Sequence, residues 1–205
     1  MTKRAGNKPK PRRKPVQSRS QESSRAVQQA FVRLLDEKPY AQVTIREITM
    51  VAGVGLGTFY DYFDSKEALA RACVHLRTKA LLHALSRARP VRGAYDLATG
   101  IAAAINRQVA IFEEAPREWR QHFLLERQKS DLKYYLSAYE AFVEAWRTLI
   151  VDASDWPQDR PAAEPARLMF TLIYGMFAHV LMRGGPGQDF GALRRDLTRA
   201  ALACL

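Results

Sequence analysis

Residues 44–66 read Thr44-Ile45-Arg46-Glu47-Ile48-Thr49-Met50-Val51-Ala52-Gly53-Val54-Gly55-Leu56-Gly57-Thr58-Phe59-Tyr60-Asp61-Tyr62-Phe63-Asp64-Ser65-Lys66. Two short helices joined through a glycine turn are written into this stretch. Thr44 with Glu47 forms a capping box, so a helix starts at Ile45. Ile45, Ile48, Val51 and Ala52 then share one face, and Gly53 stands where a helix ends in a left-handed residue. Val54, Thr58-Phe59 and Tyr62-Phe63 carry a second apolar stripe, and Asp64 with Glu67 offers a capping box to a third helix. Helices this short, joined this way, match the helix-turn-helix, whose second helix enters the DNA major groove.

The wording is closer than that architecture alone requires. Ala52-Gly53-Val54-x-x-Gly57-Thr58-Phe59-Tyr60-x-Tyr62-Phe63-x-Ser65-Lys66-Glu67-x-Leu69 resembles the DNA-binding domain of TetR-family transcriptional regulators, without a gap. The resemblance implies an all-α protein. An amino-terminal three-helix domain would bind operator DNA, and a carboxy-terminal helical domain would bind an effector and dimerise.

Charge is unevenly distributed. The net charge is +11, and residues 1–19 hold eight basic residues and no acid, leaving +3 for the remainder. Residues 20–66 contain five basic and six acidic residues, a near-neutral head for a DNA-binding domain. Phosphate attraction dominates affinity for DNA. The basic segment therefore reads as a disordered arm that follows the phosphates or enters the minor groove. The bland alternative is a solubilising tail.

Further along, Ser18 and Gln21 can cap a first helix that buries Val27, Ala30, Phe31, Leu34 and Leu35 and ends near Lys38-Pro39. Tyr40 and Val43 are expected to pack back on the three-helix core with Phe59 and Phe63. A longer helix runs from Ser65 through Leu69, Val74 and Leu76 to about Ala88, stopped by Pro90, and connects the two halves. Leu97, Ile101, Ile105, Val109 and Phe112 mark the next helix. Pro116 opens one holding Trp119, Phe123, Leu124 and Leu125. Leu132, Tyr135, Leu136, Tyr139, Phe142, Val143, Trp146 and Leu149 form an inward face on another. After the loop from Pro157 to Pro165 an intensely apolar helix covers residues 166–183 and ends at Gly184-Gly185-Pro186-Gly187. The last helix carries Phe190, Leu193, Leu197, Ala201 and Cys204. No period-2 segment stands out, so the expected fold is all-α with about nine helices. The domains are a basic arm (residues 1–19), a DNA-binding domain (20–66, helix-turn-helix 44–63) and an effector-binding and dimerisation domain (67–205).

Several functions find no support in the residues. Cys73 and Cys204 lie 131 positions apart without metal-ligand spacing and read as reduced thiols. His75 and His83 are eight apart with no third ligand nearby. No phosphate loop, Ser-His-Asp set or paired carboxylates stand out, so neither an enzyme nor a cofactor or metal is expected. The longest apolar run, Leu168 to Met182, is interrupted by Thr171, Gly175 and His179 and falls short of the roughly 20 residues a membrane span needs. Without a secretory signal pattern, the protein is expected to be soluble and cytoplasmic.

The candidate DNA contacts are Thr44, Arg46, Gly55, Leu56, Gly57, Thr58, Tyr60, Tyr62 and Lys66. Arg46 offers a planar donor fork for guanine O6 and N7, a role the resemblance favours over a solvated surface arginine. Thr44 and the first-turn N–H groups around it suit a phosphate. Gly55 and Gly57 in one helical turn cost roughly 1 kcal/mol each relative to alanine, which suits a backbone that must approach DNA closely. Thr58, Tyr60 and Tyr62 resemble family positions that donate hydroxyls to phosphates, and Lys66 resembles a phosphate clamp. Asp61 is a departure: it either points away from the phosphates or accepts from a cytosine amine.

In the carboxy-terminal half the resemblance implies a cavity for an apolar or amphipathic effector. Trp119, Phe123, Tyr139, Phe142, Trp146, Phe170, Tyr174 and Phe177 are its candidate lining. Phe123-Leu124-Leu125-Glu126-Arg127 resembles family regulators of fatty-acid biosynthesis, which implies a fatty acyl compound as effector. Thr171, Gly175 and His179 with Leu193, Leu197 and Ala201 are the candidate homodimer seam. The expected protein is a ligand-released regulator, most often a repressor; the alternative is an architectural DNA-binding protein without an effector.

Overall fold

The computed structural model describes residues 15–88, 94–184 and 188–205. Those residues form nine α-helices, one short 3-10 turn and no strand. They divide into two compact units, Met1–Lys66 and Glu67–Leu205.

The first unit is built on α1 (Pro15–Glu37), the 3-10 turn Tyr40–Gln42, α2 (Ile45–Ala52) and α3 (Leu56–Tyr60). Helix α1 starts at Pro15, before the expected caps at Ser18 and Gln21, so the end of the expected arm is helical; residues 1–14 lie outside the described residues. Proline tolerates the first turn of a helix because no partner exists there for its missing N–H. Val27, Ala30, Phe31, Leu34 and Leu35 are buried, as their spacing predicts. Phe31 meets the Tyr40 ring edge-on at 6.2 Å between centroids, and Phe59 leans on Phe63 at 5.8 Å. Removing one fully buried phenylalanine side chain from water is worth roughly 1.5–3 kcal/mol, so these rings supply much of the small core.

Two expectations fail here. Val51 is exposed, and Thr49 takes the inward place beside Ile48, its hydroxyl donating to the Arg46 carbonyl at 2.9 Å. Residues 45, 48, 49 and 52 follow the 3-4 spacing more closely than a set that includes 51. Helix α3 ends at Tyr60, so Tyr62 and Phe63 lie beyond it, and the next helix begins at Lys66, placing Ser65 rather than Asp64 immediately before it.

The second unit comprises the rest of α4 (Lys66–Ala88), then α5 (Leu97–Glu114), α6 (Pro116–Lys129), α7 (Leu132–Val151), α8 (Ala163–Arg183) and α9 (Phe190–Leu202). Pro90 and residues 185–187, the expected stops of α4 and α8, lie outside the described residues. Leu97, Ile101, Ile105, Val109 and Phe112 are all buried. By contrast Leu76, Leu132, Tyr135 and Leu136 are exposed, so the inward face of α7 starts a turn later than expected. Helix α8 is long and apolar enough to cross a membrane by composition, yet Ala166, Met169, Phe170, Ile173, Phe177, Ala178 and Leu181 are buried in the core of this unit. Cys73 and Cys204 are free thiols, and burial pushes the Cys73 thiol up to about 12.

A lock at the start of α5 holds the α7–α8 connection. The buried Tyr95 hydroxyl donates to the Leu149 carbonyl at 2.8 Å, its carbonyl accepts from Ser154, and Asp155 accepts from the Leu97 N–H. The Tyr95 ring packs against Gly100, where a Cβ would sit 2.5 Å from Cε2 of the ring. Gly100→Ala should therefore destabilise the protein by about 1–3 kcal/mol in denaturant unfolding, with a clearly non-additive effect when combined with Tyr95→Leu. An unchanged midpoint for the single variant would mean that the ring swings aside freely.

Candidate nucleic-acid interface and candidate ligand cavity

Helix α2 is fixed at both ends. Thr44 is extended (φ −107°, ψ 152°), and its Oγ1 accepts from the Glu47 N–H while the Glu47 carboxylate accepts from the Thr44 N–H at 2.9 Å. Lys38 forms an ion pair with the same carboxylate. The Lys38 hydrogen bond, followed by those from Thr44, holds the Glu47 carboxyl at about 2, well below its ordinary 4.5. At the other end Gly53 adopts φ +68°, which only glycine takes without strain, and Val54 N–H donates to the Thr49 carbonyl at 3.0 Å. Gly55 then precedes α3 in extended conformation.

This geometry turns one surface outward. Arg46, Met50, Val51, Leu56, Gly57, Tyr60 and Asp61 are exposed, Met50 by 74%, while Thr58 and Tyr62 are half-buried. Large exposed apolar side chains gathered on two short helices are costly in water and mark a contact surface. A Cβ added at Gly57 would meet nothing within 4 Å, so packing within the chain does not require glycine there. Lys66 behaves differently from the expected phosphate clamp. Its ammonium donates to the Tyr40 carbonyl at 2.9 Å and the Val43 carbonyl at 2.7 Å, and lies 4.3 Å from the Tyr40 ring centre. Two of its three donors are therefore turned inward.

In the second unit a cavity opens among α4, α5, α6, α7 and α8. Six of the eight expected aromatic residues line it: Phe123, Phe142, Trp146, Phe170, Tyr174 and Phe177. Trp119 does not; it packs edge-on against Phe112 at 5.0 Å, beneath the Arg77 guanidinium. Tyr139 is also absent and meets Phe170 from outside. Leu81 and Ile173 add apolar lining, and the polar residues Thr78, Gln108, His122 and Glu126, missed in the sequence, complete it. The interval of four between His122 and Glu126, on the buried face of α6 that also carries Trp119 and Phe123, was the available signal. The space left is about 20 Å³, room for roughly one water. Buried and without hydrogen-bond partners are Gln108 Oε1, His122 Nδ1 and Trp146 Nε1. Burial, with the Arg77 charge, lowers His122 to about 3, so it is neutral. Burial raises the Glu126 carboxyl, against the Tyr174 hydroxyl that donates to it. A wider open groove of about 550 Å³ is lined by Arg194, Arg195 and Arg199, each ion-paired to an acid. Among the described residues no group of three or more His, Cys, Asp or Glu side chains is placed to hold a metal ion.

Residues 29–73 match the family model described as bacterial regulatory proteins, tetR family. Over those residues the chain is similar to the DNA-binding domain of TetR-family regulators. Over 52 residues it is 42% identical to an uncharacterized HTH-type transcriptional regulator of Mycobacterium tuberculosis, spanning 26% of the length of that relative and 25% of its own. The whole fold is similar to that of a proposed TetR-family regulator from Mesorhizobium loti (TM-score 0.70, 18% identity, 91% of this chain and 96% of that one). It is likewise similar to Bacillus subtilis FadR, solved with stearoyl-CoA (TM-score 0.68, 15% identity, 88% and 98%). At such identities the likeness establishes the fold.

The expected dimer seam divides in two. Thr171, Gly175 and His179 form an exposed stripe on α8. Leu193, Leu197 and Ala201 do not belong with it. They are buried at 5, 0 and 0% exposure in the core of their own unit, because the apolar face of α9 packs on α5 and α8.

The capping box gives two measurable consequences. Thr44→Ala should cost about 0.5–2 kcal/mol at neutral pH. Glu47 is depressed in the folded chain, so its contribution is complete above about pH 4.5 and disappears as pH falls towards 2. The stability difference between the wild type and Glu47→Gln should follow that window in pH-dependent melts; a difference that persists at pH 2 would discard the ionised-box account.

Proposed function

We propose that this TetR-family chain is a sequence-specific DNA-binding transcriptional regulator, a repressor, that acts as a homodimer and leaves its operator when an apolar or amphipathic effector fills the α4–α8 cavity. The observation that carries the DNA-binding reading is the outward surface of the capped helix pair. Arg46 and Met50 on α2 and Leu56, Gly57 and Tyr60 on α3 are presented to solvent, and no internal contact demands the glycine at position 57 near the amino end of α3. Arg46 reads a base edge, and Thr44, Thr58, Tyr60 and Tyr62 approach phosphates. Lys66 acts chiefly by holding Tyr40 and Val43 in place, with one donor left for phosphate. The exposed α8 stripe of Leu168, Thr171, Gly175 and His179 supports the homodimer reading, since small residues there admit a second helix closely.

The cavity supports the effector reading. Thr78 and Leu81, on α4, line it, and the same helix begins at Lys66. An effector that shifts α4 acts on the residue that anchors Tyr40 and Val43, a two-state element of the kind allostery needs. An acyl compound is one candidate effector, supported by the acyl-CoA named for the FadR neighbour.

DNA fragments recovered genome-wide would supply the operator. Against it, Arg46→Ala should lose roughly 1–3 kcal/mol and relax preference at one base position; equal loss on every sequence makes Arg46 a phosphate contact. Gly57→Ala should raise thermal stability by about 0.5–1 kcal/mol while weakening operator binding, because only the DNA is crowded by the added methyl. Unchanged operator affinity would remove the close-approach account. Binding to random duplex as tight as to any recovered fragment would favour an architectural role.

A further inference from the structure

The charge inside the cavity narrows what can occupy it. Glu126 is 8% exposed and lines the cavity from α6, its carboxylate accepting from the Tyr174 hydroxyl on α8. No Lys or Arg lines the cavity among the described residues. The charged and titratable groups around Glu126 are engaged elsewhere or neutral. On α4 the Arg77 guanidinium is ion-paired with Glu118 and lies over Trp119. On α6 Arg127 is exposed and donates to the Phe123 carbonyl and to Met182 Sδ, and His122 is neutral. Tyr134 on α7 and Tyr174 on α8 are phenols that burial keeps protonated. The cavity therefore holds a buried acid with no ion-pair partner among the described residues of its lining, its charge eased by the Tyr174 hydroxyl and by the nearby exposed Arg127.

We propose that this cavity takes an organic cation, a quaternary or protonated amine on an apolar frame, with the Glu126 carboxylate as its counter-ion and aromatic ring faces as its walls. The proposal rests on the effector reading of the cavity. The rings of Phe123, Tyr174 and Phe170 line the cavity one after another, the first pair edge-to-face at 5.6 Å and the second tilted at 5.7 Å between centroids, and an aromatic lining offers a cation ring faces to approach. Gln108 Oε1, buried without a partner, is an acceptor suited to an ammonium N–H. Trp146 Nε1 only donates, so it selects a ligand with a hydroxyl, ether or carbonyl besides its amine. A ligand carboxylate or phosphate beside Glu126 would place like charges together in a dry site, which neutralises one of them or expels the ligand.

Three small probes separate charge from shape: benzyltrimethylammonium, its uncharged carbon isostere neopentylbenzene, and hexadecanoate. Titrated against the 205-residue chain by calorimetry at pH 8, the cation should bind at least tenfold more tightly than the isostere. That preference should fall towards unity in Glu126→Gln, with the isostere's own affinity unchanged. In the unaltered chain the cation's affinity should drop as pH falls through the raised Glu126 value, while the isostere's stays level, a readout that needs no variant. Equal binding of cation and isostere overturns the charge assignment and leaves an effector cavity in place. Hexadecanoate binding best, and indifferent to Glu126→Gln, overturns it in favour of the acyl reading. If none of the three binds, the proposal fails; the effector reading fails with it only if no compound of any charge releases the chain from its operator.

Discussion

A small three-helix unit depends on what its lysines do. Lys66 stands at the first residue of α4 and closes on the carbonyls of Tyr40 and Val43, with the Tyr40 ring beneath its charge. Lys38 closes on Glu47, which in turn completes the box around Thr44. Between them these two ammonium groups fix the segment that leads into α2. The orientation of α2 and α3, and so the surface they present, follows from interactions made underneath it. Charge that a DNA-binding domain might turn towards phosphate is engaged in shaping the backbone instead. The eight basic residues of positions 1–19 are most of the thirteen in residues 1–66.

Much of this was legible in the residues. Thr44 and Glu47 announce their box because the motif is local, and Gly53 announces the left-handed turn for the same reason. The α5 stripe from Leu97 to Phe112 is read correctly because all five positions face a single core. Errors arose where a local pattern has two explanations. An apolar face on α9 fits a partner subunit and fits its own core equally well, and periodicity cannot tell Leu193, Leu197 and Ala201 which to choose. Lys66 sits at a position that matches a phosphate clamp, but its nearest carbonyls are more than twenty residues away in sequence. The polar lining of the cavity was illegible for a related reason. Gln108, His122 and Glu126 come from two helices and only converge once α5 and α6 are packed.

The two units show opposite treatments of polar groups. In the first, the charged groups around α2 are satisfied by the chain itself, which gives a rigid, finished surface. In the second, three buried polar atoms lack partners in a space bounded by rings. Unsatisfied groups of this kind cost about 1–3 kcal/mol each, and they are tolerated where something other than the chain completes them.

The size of that space has a kinetic meaning. About 20 Å³ admits a water and nothing larger. Any organic molecule must therefore wait for ring side chains to part, and encounter alone does not suffice. For an effector bound as proposed, association is gated by the opening of the rings and falls below the diffusion-limited rate, and observed affinity is reduced by the fraction of chains that are open. On the proposed effector reading, so narrow a cavity also filters noise: brief contact with a passing hydrophobe leaves no trace, whereas a molecule that can sustain the opened form is retained.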